Sequence, residues 1–272
     1  MASVGTRTTL LGGRATQVRD TPLRAGFWDL VDAGTWERAT LAAIDQLVDG
    51  SVYVDVGAWI GPTVIAAARR AQLVVAYEPD PVAAEELRAN VRLNDLQNVV
   101  VHEVALFDRD GSVSLSTGFG GSLGWSTSSL VFGRPGSGVE VAVRDARDEA
   151  HSDAFQQCSM LKIDVEGAEF VLIGRLRQYL RSRRPTLLLS LHAGRWRKQE
   201  HPRFARSLVL LIRRLRNAAR RATVVWRTRH YHHAYLEDAS GWNHLSRRQR
   251  WGLIAYMRGQ ELLLTDLQFP SK

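Results

Sequence analysis

The chain has 272 residues, of which 45% are hydrophobic and 24% charged, so it can bury a sizeable core and wholesale disorder is excluded. Its 36 basic and 28 acidic residues give a net charge of +8, which on its own suggests an anionic partner. The one cysteine, Cys158, excludes an intramolecular disulfide and favours a reducing compartment, so we expect a cytoplasmic protein.

The positive charge is concentrated in one arginine-rich stretch. Only three of the 36 basic residues are lysines. Between Arg175 and Arg229 there are 17 basic residues and one acid, so this stretch carries +16 and the rest of the chain −8. Arginine forms solvent-exposed faces and ion pairs as readily as it binds phosphate. Both interpretations of the stretch stay open.

Residues 1–50 are expected to form an N-terminal arm and helix that act as a lid or acceptor-side cap. Residues 1–25 show no clear period and are interpreted as a loose arm. Apolar residues then recur near helical spacing between Trp28 and Val48. No segment has the apolar core of a secretory signal or the roughly 20 apolar residues of a transmembrane helix.

Residues 51–272 are expected to form the main domain, in which short β-rich runs alternate with helical segments. Strands are predicted at Ser51–Val56, Leu73–Tyr77, Val99–Val104, Val113–Ser116, Val139–Val143, Met160–Ile163, Pro185–Leu191, Thr223–Trp226 and Leu262–Thr265. Helices are predicted at Thr63–Ala71, from Pro81 to about Asn94, at Glu169–Leu180 and at Phe204–Arg221. Residues 116–138 are rich in glycine and serine and are interpreted as a mobile loop. The alternation predicts a doubly wound, mostly parallel α/β sheet with ligands at the carboxyl ends of its strands.

A glycine turn, Gly57 to Gly61, follows the first of these strands. It matches neither the dinucleotide fingerprint nor a P-loop. Asp55, two residues before Gly57, would repel a pyrophosphate and suits a ligand with an ammonium or sulfonium group. An ordinary strand–turn–helix connection is the alternative.

Carboxylates also follow two later strands. Glu78 lies 23 residues beyond Asp55, where a carboxylate can accept the hydroxyls of a ribose. Asp164 leaves the strand Met160–Ile163 and is expected to face the cleft, with Glu166 close by. The alternative makes Asp164 a helix N-cap and Glu166 and Glu169 first-turn acids that complement the helix dipole, and we adopt it for Glu169.

Four segments in this order resemble the FkbM family of S-adenosylmethionine (SAM)-dependent methyltransferases. They are Val-Asp-Val-Gly-Ala-x-x-Gly-Pro, Tyr-Glu-Pro-Asp-Pro, Val-Ala-Leu-x-Asp-x-x-Gly and Leu-Lys-Ile-Asp-Val-Glu-Gly-Ala-Glu. The resemblance covers about residues 51–192, roughly half the chain. It implies the Rossmann-like, seven-stranded class I methyltransferase fold, a mostly parallel doubly wound α/β sheet with an antiparallel last strand.

The resemblance also implies site residues. The amino-acid part of SAM would be held by Asp55, Gly57, Ala58, Trp59 and Gly61. Glu78 would take the ribose hydroxyls, Glu103, Val104 and Ala105 would flank the adenine, and Asp164 and Glu166 would lie beside the methyl group and the acceptor. The chain departs from the family pattern at Trp59, commonly a small polar residue, and at Ser190-Leu191-His192, where a glutamate often precedes the histidine.

The resemblance implies a SAM-dependent O-methyltransferase acting on a hydroxyl of a small natural product or sugar, such as a macrolide or glycoside. His192 is the preferred base because its unperturbed pKa is about 6.5, with Asp164 orienting the reactants and Glu166 as a further candidate. Trp125 and Trp196 are predicted to line the acceptor pocket. The alternatives are an RNA methyltransferase that uses the arginine-rich face, and a SAM-binding domain without catalysis.

Further partners are not predicted. No metal site is assigned, although Asp164 and Glu166 are the obvious ligands should a divalent ion take part. No motif for methylating base amino groups is present, so we do not expect a nucleic-acid partner, and a homo-oligomer stays open. His230, His232 and His233 are interpreted as surface or acceptor-pocket histidines rather than a zinc site.

Overall fold

The computed structural model describes residues 5–24, 26–116, 123–124, 129–130, 138–192, 218–238, 241–256 and 261–268. Its strands are β1 (Gly5–Leu11), β2 (Arg14–Asp20), β3 (Val52–Val56), β4 (Leu73–Tyr77), β5 (Val99–His102), β6 (Ala105–Phe107), β7 (Gly111–Ser116), β8 (Gly138–Asp145), β9 (Cys158–Ile163), β10 (Thr186–Ser190), β11 (His233–Asp238), β12 (Gly241–His244) and β13 (Glu261–Thr265). Its helices are α1 (Phe27–Asp32), α2 (Arg38–Leu47), α3 (Pro62–Ala68), α4 (Pro81–Leu93), α5 (Ala146–Glu149), α6 (Asp153–Gln157), α7 (Glu169–Arg175), α8 (Arg177–Arg183), α9 (218–227) and α10 (Arg247–Tyr256).

The central sheet has the strand order β12-β11-β13-β10-β9-β3-β4-β5. The strands from β10 to β5 are parallel to one another, whereas β13 is antiparallel to both of its neighbours, β10 and β11. This confirms the predicted mostly parallel α/β fold with an antiparallel last strand. Within the described residues the sheet has eight strands rather than seven, because β12 pairs with β11 and adds an edge strand.

The core lies on both faces of this sheet. On one face, Leu161, Leu187 and Leu189 pack in a cluster that includes residues of α6, α7 and α8. On the other face, Tyr53 and Leu188 pack with residues of α2, α3 and α4. All five residues of β3 are buried, as expected for a parallel strand covered by helices on both sides. The carboxyl ends of the parallel strands therefore meet at one edge.

The N-terminal region is more regular than predicted. Strands β1 and β2 pair as an antiparallel hairpin around Gly12 and Gly13, both with positive φ. Leu11 and Val18 are fully buried in a core cluster with Trp28 of α1. The interpretation of residues 1–25 as a loose arm is therefore wrong for the described part. Two glycines between alternating residues were the hairpin signal.

Three further predictions need correction, and two strands were missed. The predicted strand Thr223–Trp226 lies within α9, because its apolar residues form part of a helix. The predicted helix Glu169–Leu180 is broken at Leu176 into α7 and α8. Strand β5 ends at His102, and β6 joins β7 and β8 in a separate small sheet. Strands β11 and β12 were not predicted.

Two predictions concern segments that the structure describes only in part. The predicted helix Phe204–Arg221 lies largely outside the described residues, of which 218–221 are helical. Among the described residues, no helix has the length and apolar character needed to cross a membrane.

Candidate active site

A cavity of about 370 Å³ lies at the edge of the sheet where β3, β4 and β9 end. Small-molecule sites typically have volumes of roughly 300–1,000 Å³. The walls come from the turns after β3, β4 and β9, from the start of β13 and from residues of the N-terminal region. This is the edge at which the sequence predicted a ligand site.

The turn after β3 passes close to the end of β9. Gly57 has a φ of +86°, and a Cβ atom there would lie only 1.8 Å from the backbone oxygen of Asp164. The N–H groups of Gly57 and Ala58 donate to the carbonyl of Tyr77 at 2.9 and 3.2 Å. Gly61, also at +86°, precedes α3. The predicted turn thus holds the ends of three strands together, and Gly57 is required by this close approach.

Asp55 lies behind the cavity rather than in its wall. It is fully buried and accepts hydrogen bonds from the hydroxyls of Thr63, at 2.6 Å, and Tyr53, at 3.2 Å. Lys162 Nζ lies 3.5 Å from Asp55 Oδ1. Burial raises the pKa of Asp55, and Lys162 and Thr63 oppose this increase. Asp55 therefore supports the first turn of α3 and the position of Lys162.

Glu78 is a buried carboxylate in the wall of the cavity. Its Oε2 accepts the backbone N–H of Trp59 at 2.7 Å, and its Oε1 that of Asp80 at 2.9 Å. Burial raises the pKa of Glu78 to about 7, although both N–H groups favour the charged form. At the end of β4, Glu78 therefore lies next to the glycine turn. Each oxygen retains capacity for a further donor.

Trp59, the residue that departs from the family pattern, connects three parts of the cavity. Its backbone has a φ of +50°. Its Nε1–H donates to the carbonyl of Gly124 at 2.9 Å, and its ring packs edge-on against Phe27. The guanidinium of Arg24 lies 4.9 Å from the ring centroid. Trp59 therefore links the N-terminal region and the glycine-rich loop to the turn after β3.

The segment predicted to flank the adenine is divided by the structure. Ala105 lines the cavity. Val104 is buried in the core cluster, so its side chain serves packing. Glu103 is exposed and pairs with Arg88 at 2.7 Å. Leu106 and Leu115, which the sequence did not single out, also line the cavity.

The Asp164 carboxylate is held in its charged form. Lys162 Nζ lies 3.2 Å from Asp164 Oδ2, and His192 Nδ1 lies 3.8 Å from Asp164 Oδ1. Burial alone would raise the pKa of Asp164, but Lys162 and His192 keep it below its ordinary value. Asp164 does not cap α7, whose N-cap is Ala168. The prediction that Asp164 faces the cleft agrees with its place in the cavity wall.

His192 is surrounded by three carboxylates. Its Nδ1 lies 2.8 Å from Glu169 Oε1, and its Nε2 lies 3.6 Å from Glu166 Oε1. Burial lowers the pKa of His192, but Glu169, Asp164 and Glu166 outweigh it and raise the pKa to about 9. Glu169, interpreted from sequence as a helix-dipole acid, is fully buried and also accepts the N–H of Gly167. The sequence analysis missed the role of Glu169, because the order of residues along the chain does not show that the end of β10 places His192 beside the start of α7.

Two acids of the cavity come from distant parts of the chain. Glu37 precedes α2, and Glu261 begins β13 and accepts the Ser190 hydroxyl at 2.7 Å. Burial raises the pKa of Glu261 to about 7, with a further contribution from Asp164. Burial also raises the pKa of Glu37. Nothing in the local sequence marks either residue, because only the folded sheet brings them to this edge.

The cavity is acidic overall, and its chemistry suits a cation. Carboxylates outnumber the cationic side chains among the lining residues, where Lys162 and His192 are the basic ones. Asp164, Glu169 and His192 also place one potential ligand atom each within 4.8 Å of one another, a geometry that a divalent ion can use. This group contains Glu169, whereas the sequence pointed to Glu166 as the second acid beside Asp164.

The remaining predicted residues lie either outside the described part of the chain or outside this cavity. Trp125 and Trp196 lie outside the described residues. His230 and His232 precede β11 rather than share a strand face, and His230 Nε2 lies 2.8 Å from the Leu180 carbonyl. His233 lies beside His244 of the neighbouring strand β12.

A mostly parallel α/β sheet with a cavity at the carboxyl ends of its strands is typical of a class of nucleotide- and cofactor-binding proteins. Within that class, the family described as "Methyltransferase FkbM domain" matches residues 55–221. The match spans more than half of the chain, so the chain belongs to the FkbM methyltransferase family. No curated protein matches the sequence.

Solved structures of methyltransferases are similar to this chain at low identity. The FkbM methyltransferase from Methylobacillus flagellatus is 16% identical over 91% of this chain and 56% of its own length, with a TM-score of 0.41. A SAM-dependent O-methyltransferase from Thermotoga maritima is 9% identical over 87% of this chain and 68% of its own, with a TM-score of 0.41. An rRNA methylase from Streptococcus thermophilus is 10% identical over 84% and 95%, with a TM-score of 0.43. The chain thus spans about half the length of the M. flagellatus protein.

Proposed function

We propose that the protein transfers the methyl group of SAM to a hydroxyl of a small natural product or sugar. Membership of the FkbM methyltransferase family supports methyl transfer. The observation that carries the rest is one cavity with a buried carboxylate, Glu78, beside the glycine turn and a carboxylate–histidine cluster after β9 and β10.

The cavity residues suit the chemical groups of SAM. SAM supplies a methyl group already activated by its sulfonium centre. Glu78, fixed by the N–H groups of Trp59 and Asp80, can accept hydrogen bonds from the ribose hydroxyls. The surplus of carboxylates stabilises the positive charge, and the apolar side chains of Leu106 and Leu115 can pack against a purine ring.

His192 is the proposed base for the hydroxyl of the acceptor. A neutral alcohol is a poor nucleophile, and a positioned base contributes typically about 10²–10⁴-fold. With a pKa of about 9, His192 is protonated at neutral pH in the free protein and cannot accept a proton there. A cation bound among the same carboxylates would lower this pKa by repulsion, and His192 could then accept the proton of the hydroxyl. Asp164 and Glu169 hold the ring in position.

Calorimetric titration with S-adenosylhomocysteine and SAM tests the cofactor assignment. We expect Glu78→Gln to weaken binding at least tenfold, because the amide turns a donor toward groups that are themselves donors. Glu85→Gln is the matched control: Glu85 lies exposed on α4, away from the cavity, and this variant should bind like the wild type. Equal affinities of the two variants would contradict the assignment of Glu78.

Turnover with a panel of sugar and polyketide alcohols tests the acceptor class. Methylation of a hydroxyl that is lost in His192→Ala, with cofactor binding retained, supports the proposal. Cofactor binding without turnover on any hydroxyl favours a domain without catalysis, and methylated RNA favours the nucleic-acid alternative. Activity that survives exhaustive EDTA treatment excludes a metal at Asp164, Glu169 and His192.

A further inference from the structure

A second cavity, of about 420 Å³, lies between α8, α9 and α10 on one face of the sheet. The described residues that line it are all different from those that line the acidic cavity. No carboxylate is among its described lining residues. Six arginines from three different helices or their ends line it: Arg177, Arg181, Arg227, Arg229, Arg247 and Arg250. We call these residues the arginine cavity.

Four of these arginines belong to the basic stretch between Arg175 and Arg229, and they differ from other arginines of that stretch. Arg175 pairs with Asp145, and Arg184 pairs with Asp266, so those arginines have structural partners. Within the part of the chain that the structure describes, none of the six cavity arginines forms an ion pair with a carboxylate. Several guanidinium groups facing one cavity without acids repel each other, and an anion removes this repulsion.

The arginines are held in place by neutral groups. Arg250 donates to the carbonyls of Tyr231 at 2.8 Å and His232 at 2.5 Å, and its buried Nε has no hydrogen-bond partner among the described residues. Burial, with a contribution from Arg247, lowers the pKa of Arg250. Since these contacts leave the positive charge uncompensated, they position Arg250 without neutralising it.

Aromatic and apolar side chains complete the cavity. Trp226 has Arg229 at 4.2 Å and Arg177 at 5.0 Å from its ring centroid, which orders both side chains on the rim. Leu262 and Leu264 of β13 contribute apolar surface, and Trp251 lines the cavity with half of its surface exposed. An anion with a planar ring would therefore find both an arginine cluster and an accessible indole face.

We propose that the arginine cavity binds a nucleotide, with the phosphate among the arginines and the base against Trp251. The same chemistry occurs in a free nucleotide and in a segment of single-stranded RNA. The proposal does not rest on the proposed methyl-transfer reaction, because the two cavities share no residue. It gives the basic stretch a specific ligand instead of a general attraction to anions.

Binding of uridine 5′-monophosphate and of a fluorescent 12-nucleotide single-stranded RNA, measured on the full chain, tests the proposal. A uridine probe avoids the purine ring that the acidic cavity is proposed to hold. Arg247→Glu and Arg181→Glu, on different helices, should each weaken binding at least tenfold. Arg248→Glu is the matched control, since Arg248 is exposed on the same helix but does not line the cavity.

The source of the phosphate and the role of the ring have separate readouts. A single strand is identified as the ligand if the RNA binds more tightly than the mononucleotide and if the affinity of Arg247→Glu for RNA depends less steeply on salt than that of the wild type. Tighter or equal binding of the mononucleotide identifies a free nucleotide. Trp251→Ala should weaken binding of the mononucleotide roughly tenfold and leave the affinity for inorganic pyrophosphate unchanged.

Two outcomes would overturn the proposal. One is the absence of binding of both nucleotide probes to the wild type. The other is an equal loss in Arg247→Glu and Arg248→Glu, which would show that only net charge matters. Thermal melting of each variant verifies that the fold is intact.

Discussion

At the scale of single residues, the protonation state and orientation of His192 depend on its carboxylate partners. Nδ1 lies 2.8 Å from Glu169 Oε1, and Glu169 is itself fixed by the N–H of Gly167 and completely buried. Such a partner sets the tautomer and orientation of an imidazole and favours its charged form. Glu169 is thus a positioning residue for His192.

Glu169→Gln should therefore shift the pH dependence of methyl transfer. Removing one of the three carboxylates lowers the pKa of His192 from about 9 toward its ordinary value. Because the unprotonated ring is the active form, the rise of kcat/KM with pH should move to lower pH by about one unit or more. The profile of kcat/KM against pH, with Glu85→Gln as control, measures this. A profile unchanged from the wild type would mean that another group sets the pH dependence.

At the scale of elements, the N-terminal region is fastened to the methyltransferase sheet by a buried ion pair. Arg24 ends the short 3₁₀ turn after the hairpin, and its Nε lies 2.9 Å from Glu86 Oε1 of α4. Both side chains are almost completely inaccessible to solvent. Arg24 also lies against Trp59 in the cavity wall. Through this contact the hairpin, α4 and the glycine turn form one structural unit.

Breaking this pair should cost much more than breaking an exposed one. Arg24→Met leaves the Glu86 charge buried without a partner, and we expect a loss of about 3–5 kcal/mol in the free energy of unfolding. The matched control is Arg88→Met, because the Arg88–Glu103 pair lies at the surface and should contribute about 1 kcal/mol or less. Urea unfolding measures both values. The double variant Arg24→Met/Glu86→Leu should recover most of the loss, and no recovery would contradict the role of the unpaired charge.

At the scale of the whole molecule, the acidic cavity should make stability decrease with rising pH. Glu78 and Glu261 have pKa values raised to about 7, and His192 has a pKa raised to about 9. Each group binds its proton more tightly in the folded state, so its contribution is fully present below the pKa of the unfolded chain. It is lost as pH rises through the folded pKa. The free energy of unfolding attributable to these groups should therefore fall between about pH 5 and 9.

The variants His192→Gln and Glu261→Gln should each flatten this pH dependence by roughly 1–3 kcal/mol over that range. Urea unfolding at pH 5, 7 and 9 measures the change. His232→Gln is the control for the histidine, because His232 is exposed and does not line the cavity. A slope as steep in the two cavity variants as in the wild type would contradict this origin of the pH dependence.

Much of this molecule follows from its sequence. Leu73–Tyr77 is continuously apolar, and Val52–Val56 is apolar except for Asp55, because helices cover both faces of a parallel sheet, so the α/β class was predictable. The glycine turn, Glu78 and Asp164 were predictable as neighbours because parallel strands end at the same edge. The hairpin around Gly12 and Gly13 carried a recognisable turn signal that the sequence analysis did not use.

Tertiary structure decided the rest, because it depends on contacts between segments far apart in sequence. Glu37, Glu169 and Glu261 enter the site only when α2, α7 and β13 pack at the sheet edge, and the pKa of His192 depends on such neighbours. The same holds for charge. The sequence shows that one stretch is basic, but only packing separates Arg175, paired with Asp145, from Arg181, which lines a cavity with no acid among its described lining residues. Burial and proximity determine what each charge does, and neither is a property of local sequence.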